Sequence, residues 1–359
     1  MPRTRKELNF KGQKIYCGID THLKSWKVSI MTETITHKTF SQDPDPAILV
    51  NYLKRNFPGA EYYSAYEASF CGFGIHRKLE ELGVKNIVAN PADIPTTDKE
   101  KKQKEDKRDS RKIARTLRAD ELEGIYIPSK ESEELRSLAR YRKTLVKDIS
   151  RGKNRIKSFL YFHGIEIPKE ILQASKRWSN KFTLWLKSIT LSTECGNIVL
   201  QDLLEVNLSL RKRLLNITKK IRALSKSEKY SKAFGLLTSV PGIGPITAIT
   251  IIAELETMDR FSSFDKLCSY IGLVPNTNST GEKEKVGSVT NRANRALREC
   301  LIESAWVAAR IDPALSLAYN KLCERMKPSK AIIRIAKKLL NRIRYVLKKE
   351  KVYEHLVVG

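Results

Sequence analysis

The first 130 residues alternate between short apolar runs typical of strands and a helical pattern. Each run is four to seven residues long and ends at polar or turn-forming residues, as strands do. Strands that alternate with helices predict an α/β layer domain, which we assign to 1–130. The predicted strands cover 14–20, 26–30, 61–67 and 86–89, and the predicted helix covers 73–82.

Apolar positions then follow heptads across residues 131–232. The more regular of two runs carries one polar residue, Asn207, and such an asparagine often fixes the register of a coiled coil. We favour a coiled coil that joins protomers; the alternative is two amphipathic helices that pack within one chain. The runs are Leu135, Leu138, Leu145, Ile149, Ile156, Phe159 and then Leu200, Leu203, Asn207, Leu210, Leu214, Ile217, Ile221, Leu224.

Residues 233–359 show helical periodicity, interrupted by glycine-containing turns. The segment Pro241-Gly242-Ile243-Gly244-Pro245 separates two helices and predicts a helix-hairpin-helix-like motif. The expected fold class is therefore α/β plus all-α, with a central coiled coil and a helical C-terminal domain. Further helices are predicted over 263–271, 292–310 and 329–348.

Charge adds information that periodicity lacks. Lysine and arginine total 67 against 40 acidic residues, which gives a formal net charge of +27. A surplus of this size favours a polyanionic partner, because phosphate contacts release condensed counterions. Six scattered cysteines without a Cys-x-x-Cys pair argue against a zinc site or a disulfide framework. No apolar run approaches the roughly 20 residues of a membrane span, and no signal core follows Met1, so we expect a cytoplasmic protein.

Four acidic residues form the first candidate site. Asp20 and Glu67 each end a predicted strand, and Asp106 and Asp109 lie one turn apart on one face of a helix. Carboxylates are preferred ligands of Mg²⁺, and two such ions can neutralise the charge of a scissile phosphodiester. A strand-end Asp, a hairpin, a strand-end Glu and then Asp-x-x-Asp on a helix is the layout of a ribonuclease-H-type fold.

Two glycine-containing segments form the second candidate region. Backbone N–H groups around Gly242 and Gly244 could approach a phosphate, although a tight helix–helix turn needs glycine for backbone reasons alone. Residues 272–291 are a polar loop rich in serine, threonine and asparagine, where a hydroxyl could attack phosphorus; such a segment is also an ordinary loop composition. The cations that would bind nucleic acid around it are Lys283, Lys285, Arg292, Arg295 and Arg298.

The chain resembles the DEDD-type insertion-sequence transposases, whose N-terminal domain is similar to the RuvC Holliday-junction resolvase. Two blocks at opposite ends of the chain carry the resemblance. The first comprises Gly18-Ile19-Asp20, Tyr66-Glu67-Ala68, Asn90-Pro91-Ala92 and the segment from Lys104 to Ala114; the second runs from Pro241 to Arg298.

This resemblance implies that Asp20, Glu67, Asp106 and Asp109 bind Mg²⁺ and that a serine, assigned to Ser279, attacks DNA to form a phosphoserine link. It further implies guidance by a structured non-coding RNA that pairs with donor and target DNA. It also implies a homo-oligomer, a dimer or tetramer, in which the serine of one protomer completes the acidic site of another.

Four positions depart from the family pattern. Glu105 and Ser110 stand where threonine and alanine are common, Ala293 replaces a common glycine, and Thr280 stands where family members often have the serine. The nucleophile is therefore Ser279 or Thr280. Two other function classes remain open: a junction-resolving endonuclease that uses only the acidic site, and a non-enzymatic nucleic-acid-binding protein.

Overall fold

The computed structural model describes residues 9–95, 106–172, 178–280 and 283–354. The chain divides into two compact units, the first ending at Ile127 and the second beginning at Pro128. The first unit is a mixed α/β domain, as predicted. The second unit contains both the heptad region and the C-terminal helices. The sequence predicts these as separate regions, with a boundary at residue 232.

A five-stranded mixed sheet with the order β3-β2-β1-β4-β5 forms the centre of the first unit. The first three strands are antiparallel neighbours, and β4 and β5 run parallel to β1. This sheet confirms the predicted strand hairpin. The strands are β1 (Lys14–Thr21), β2 (Trp26–Met31), β3 (Thr36–Gln42), β4 (Glu61–Glu67) and β5 (Lys85–Ala89).

Helices cover both faces of this sheet. Successive residues of β1 point to opposite faces, and Ile15 and Ile19 share the face that packs with α1 (Pro46–Asn56) and α2 (Gly74–Glu81). The opposite face packs on α3 (Asp106–Arg118). The sequence predicted α2 to within one residue at each end, whereas β3 and α1 were not predicted.

The two heptad helices of the second unit pack on each other. They are α4 (Lys130–Phe162) and α7 (Glu194–Leu224). Asn207, only 2% exposed, donates a hydrogen bond from Nδ2 to the carbonyl oxygen of Ile149, 3.0 Å away. The heptad face of α7 therefore packs on α4 of the same chain, as in the intrachain alternative, and the assembly of protomers stays a prediction. The asparagine binds a backbone carbonyl there.

Most of the remaining helices share one large core, which also carries a small hairpin, whereas the two short helices within 169–188 pack in a separate cluster with α4 and α7. The segment predicted as a loop pairs as two antiparallel strands, β6 (Pro275–Thr280) and β7 (Lys283–Val289). Its threonines and valines are β-branched, which favours extended backbone. The helices are α5 (Lys169–Leu172), α6 (Asn180–Ser188), α8 (Glu228–Thr238), α9 (Pro245–Leu255), α10 (Phe264–Ile271), α11 (Arg295–Ile311), α12 (Pro313–Cys323) and α13 (Pro328–Lys349).

None of the helices in the described ranges is long and apolar enough to cross a membrane.

Candidate active site

Asp20 and Glu67 lie side by side at one edge of the sheet. β1 and β4 run parallel, and their last paired residues are Ile19 and Tyr66, so each acid is the next residue on its strand. Neighbouring positions on paired parallel strands point to the same face. Both side chains are half-buried. The fold therefore brings together two acids that are 47 positions apart in the sequence.

The face that carries both acids is the one covered by α3. Gly18 shares a face with Asp20, and a Cβ atom built on it would lie 2.1 Å from the carbonyl oxygen of Ser110 and 2.4 Å from the amide nitrogen of Ala114. The backbone of α3 can approach β1 this closely only because residue 18 has no side chain. Asp109 precedes this contact by one residue on α3, and Asp20 follows it by two residues on β1.

Of the two acidic residues of α3, the structure describes the side chain of Asp109 but not that of Asp106. The Oδ1 atom of Asp109 lies 3.5 Å from Nζ of Lys112, one helical turn further along. The side chain of Asp106 lies outside the described residues. Within the described part, no three histidine, cysteine, aspartate or glutamate side chains are grouped closely enough to hold a metal ion. Asp20, Glu67 and Asp109 offer carboxylate oxygens, which suit a hard divalent cation.

Lys112 is a member of this site that the sequence analysis missed. Its side chain is only 10% exposed, which is rare for lysine unless it is paired. Its charge beside Asp109 offsets part of the acidic charge of the region. The Asp-x-x-Lys spacing on a predicted helix could have indicated the pair.

The second candidate site is the β6–β7 hairpin in the second unit. Its backbone register places Ser279 opposite Glu284, Asn278 opposite Lys285 and Thr280 opposite Lys283. The side chains of these residues lie outside the described part of the chain. The structure therefore gives the position of Ser279 in the hairpin and no contact of its hydroxyl group.

Arg298 holds the base of this hairpin. Its Nη1 donates hydrogen bonds to the carbonyl oxygens of Thr290 (2.5 Å) and Gly272 (3.3 Å), which lie at the two ends of the hairpin segment. Arg292 and Arg295 are exposed. All three arginines were predicted to bind nucleic acid; Arg298 has a structural contact with the hairpin base, and the side chains of Arg292 and Arg295 are exposed.

A buried carboxylate anchors the segment that follows the hairpin. Glu254, at the end of α9, is fully buried and accepts two hydrogen bonds from Arg140 (2.7 and 2.9 Å). It also accepts one from Nδ2 of Asn294 (2.8 Å), and Arg136 Nε lies 3.3 Å from it. Asn294 caps α11 through the amide of Leu297. Burial and hydrogen bonding to Glu254 shift the pKa of Arg140 in opposite directions, and the hydrogen bond prevails, so the pKa is raised. Sequence spacing gave no signal for this network, whose members lie on different helices.

The two glycines of the predicted helix-hairpin-helix segment differ in environment. Gly242 has φ +86°, and a Cβ there would lie 2.5 Å from the carbonyl oxygen of Ser304 on α11. Gly244 is the N-cap of α9, and a Cβ there would meet nothing within 4 Å. Close helix packing accounts for Gly242, which is the structural alternative that the sequence left open. Of these two glycines, Gly244 is the one with open space beside its backbone.

Two family models match separate parts of the chain. The DEDD model of IS110-type elements, described as "Transposase", matches residues 17–164, which include all four predicted metal ligands. A second model, described as "Transposase IS116/IS110/IS902 family", matches 235–320, which include the β6–β7 hairpin.

Several curated proteins are similar over most of the chain. A putative transposase of Sinorhizobium fredii is 29% identical over 244 residues, 68% of this chain and 58% of the relative. The transposase of the insertion element IS1533 from Leptospira borgpetersenii is 27% identical and covers 68% of this chain and 70% of its own length. The transposase of IS1111A from Coxiella burnetii is 24% identical over 79% of this chain and 77% of its own length.

Both matched regions are those of transposases, and over these regions the chain is similar to the IS110/IS116 family of DEDD transposases.

Proposed function

We propose that this protein is the transposase of an insertion sequence, which cleaves and exchanges DNA strands with an acidic metal site and a serine nucleophile. The observation that carries the proposal is the juxtaposition of Asp20 and Glu67 on the sheet face covered by α3. We further propose that the first unit is ribonuclease-H-like and similar to RuvC, because it combines strand-end acids, a strand hairpin and an acidic helix in the expected order.

Asp20, Glu67, Asp106 and Asp109 would hold the divalent metal, and Mg²⁺ is the ion that an all-carboxylate donor set favours. When bound, the metal would neutralise charge on the scissile phosphate. The chain's own contribution is to fix these acids on two strand ends and one helix. Gly18 and the buried contact between β1 and α3 keep that helix in place.

Ser279 would act as the nucleophile. Its Oγ forms a bond to phosphorus, the bond from phosphorus to one deoxyribose oxygen breaks, the serine proton is released, and the departing oxygen takes up a proton to become a hydroxyl. The phosphoserine ester conserves the energy of the diester, so a second DNA hydroxyl can reverse the step without ATP. Arg292 and Arg295 are exposed near the base of the hairpin and would bind phosphate oxygens.

A structured guide RNA and assembly into a dimer or tetramer complete the proposal. The formal charge of +27 supports a nucleic-acid partner. The intrachain packing of α4 on α7 means that protomers would meet through other surfaces.

The test uses DNA that flanks the coding region, nicked so that rejoining is blocked. The wild type should trap a covalent protein–DNA adduct, with the phosphate on Ser279 in mass spectrometry. Ser279→Ala and Asp109→Ala should lose the adduct, whereas Ser288→Ala, a change in the same hairpin, should keep it.

Phosphate found on Thr280 or Ser288 would move the nucleophile and refute the assignment to Ser279. Hydrolysed ends without an adduct would instead favour an endonuclease that uses only the acidic site. Full activity in EDTA would refute the metal site.

A further inference from the structure

The C-terminal helix α13 lies in a segment without acidic residues. Residues 325–349 contain ten lysines and arginines and no aspartate or glutamate. The chain has 40 acidic residues in 359, so an average segment of 25 residues would contain about three. The segment lies outside both matched family regions, which end at 164 and 320.

α13 buries one face and exposes the opposite one. Ile335, Leu339 and Ile343 belong to the large core of the second unit. The opposite face is a continuous exposed stripe at helical spacing, which we call the α13 stripe. It consists of Lys330, Arg334, Lys338, Asn341, Tyr345 and Lys348.

The cations of the α13 stripe lack carboxylate partners among the described residues. Two other cations of the helix are paired: Arg342 with Asp312 at 2.7 Å and Lys337 with Asp265 at 3.7 Å. These two pairs lie beside the α13 stripe, whose own cations are not neutralised by carboxylates of the described part of the protein.

This arrangement opposes helix stability. Lys330, Arg334 and Lys338 follow one another at i,i+4 spacing, where like charges repel. An ordinary solvated face intersperses acidic residues at such positions and gains from the resulting pairs. A row of one sign gains only when a polyanion binds it, because phosphate contacts release counterions.

We propose that the α13 stripe binds the phosphate backbone of duplex DNA independently of base sequence. Single-strand sites combine charge with several aromatic stacking platforms, whereas the stripe contains one exposed aromatic residue, Tyr345, which is 55% exposed. The helix of 22 residues is about 33 Å long, so the stripe can follow several phosphates. The choice of DNA as the polyanion rests on the proposed function.

The test measures the affinity of the full chain for a DNA duplex of unrelated sequence between 50 and 200 mM salt, in EDTA. The test variant combines Lys330→Gln, Arg334→Gln and Lys338→Gln, all exposed positions. The control combines Lys78→Gln, Lys85→Gln and Lys229→Gln, which removes the same charge from lysines that pair with Glu81, Glu61 and Glu131.

Loss of three phosphate contacts should make the slope of log affinity against log salt less steep by about 2.7. Over this fourfold salt range, the wild type should lose roughly 40-fold more affinity than the test variant, and the control should behave as the wild type. Unchanged slopes, or equal changes in both variants, would overturn the proposal. A slope change with RNA and none with duplex DNA would overturn it in favour of an RNA site. Because the assay needs neither metal nor cleavage, its outcome is separate from that of the adduct experiment.

Discussion

The hydroxyl oxygens of Ser29 and Ser110 lie 2.9 Å apart, although 81 positions separate them in the sequence. Both residues are fully buried, and Ser29 Oγ also lies 2.9 Å from Oγ1 of Thr39. This hydrogen bond joins β2 to α3, and Ser110 is the residue that directly follows Asp109 on α3. Ser110 is one of the departures from the family pattern, and the structure gives its hydroxyl a partner.

This hydrogen bond can be measured by a double-mutant cycle. Ser110→Ala leaves the buried hydroxyl of Ser29 with one fewer partner and should lower the free energy of unfolding by about 1 kcal/mol. When Ser110→Ala is combined with Ser29→Ala, urea denaturation should give a coupling energy of about 0.5–1.5 kcal/mol between the two changes. Strict additivity of the two changes would mean that the hydroxyls do not interact.

Gly18→Ala should displace α3 from the sheet. The new Cβ would meet backbone atoms at 2.1 and 2.4 Å, which cannot rotate away as a side chain can. We expect a loss of stability of about 3 kcal/mol or more, together with loss of strand cleavage. Gly74→Ala is the control, since a Cβ there meets nothing within 4 Å. Equal stability of the two variants in chemical denaturation would contradict the close approach.

Arg298→Gln should loosen the base of the β6–β7 hairpin. The variant loses the guanidinium that bridges the carbonyl oxygens of Gly272 and Thr290. Limited proteolysis should then cut within 273–289 several times faster, while Arg295→Gln, an exposed neighbour, should leave the cleavage rate unchanged. Equal protection of both variants would show that Arg298 does not hold the hairpin.

Asp312 makes stability depend on acid pH. Burial raises the pKa of this carboxyl, but hydrogen bonds from Arg342, the Leu315 amide and Tyr353 outweigh burial and hold it below the ordinary 3.8. A depressed pKa contributes stability that is fully present above about 3.8 and is lost as the pH falls through the folded value. The wild type should therefore exceed Asp312→Asn in unfolding free energy at pH 6, and the gap should shrink below pH 3.8. A gap independent of pH would refute this role.

Ile221→Ala tests where the heptad face of α7 packs. Ile221 is 1% exposed and lies in a cluster with Leu135 and Ile249 of the same chain. The change should cost about 2–5 kcal/mol of stability and leave the mass of the protein in light scattering unchanged. A fall in mass without a loss of stability would restore the intermolecular coiled coil.

Local patterns predicted the strands better than the partners of the helices. The apolar run before Asp20 and the alternation after it are sufficient to predict β1 and β2, since side chains alternate with a period of two. Heptad spacing in α7 predicts an apolar partner without saying which one, and α4 of the same chain proved to be that partner. The hairpin of Ser279 was missed because its strands are polar.

In the candidate site too, features set by local sequence were predicted, whereas contacts between distant elements were not. The order of acids along the chain predicted a site built from two strand ends and one helix, and the structure brings Asp20 and Glu67 to neighbouring positions on parallel strands. Arg298 and Glu254 were not predicted in their structural roles, since their contacts join elements whose relative positions depend on tertiary packing. Charge composition indicated a nucleic-acid partner, but it did not distinguish the paired Arg342 from the exposed Arg334.

The attachment of both hairpin ends to Arg298 also makes the β6–β7 segment a replaceable module. A loop whose ends are fixed at one point can change in length without moving the helices that hold it, because each doubling of length costs only about 0.6 kcal/mol of closure entropy. Related elements could thus diverge in the length of this hairpin while the helical scaffold stays the same, as long as the nucleophilic hydroxyl keeps its position. A hairpin grafted from another element between Gly272 and Thr290 would inherit the same anchor.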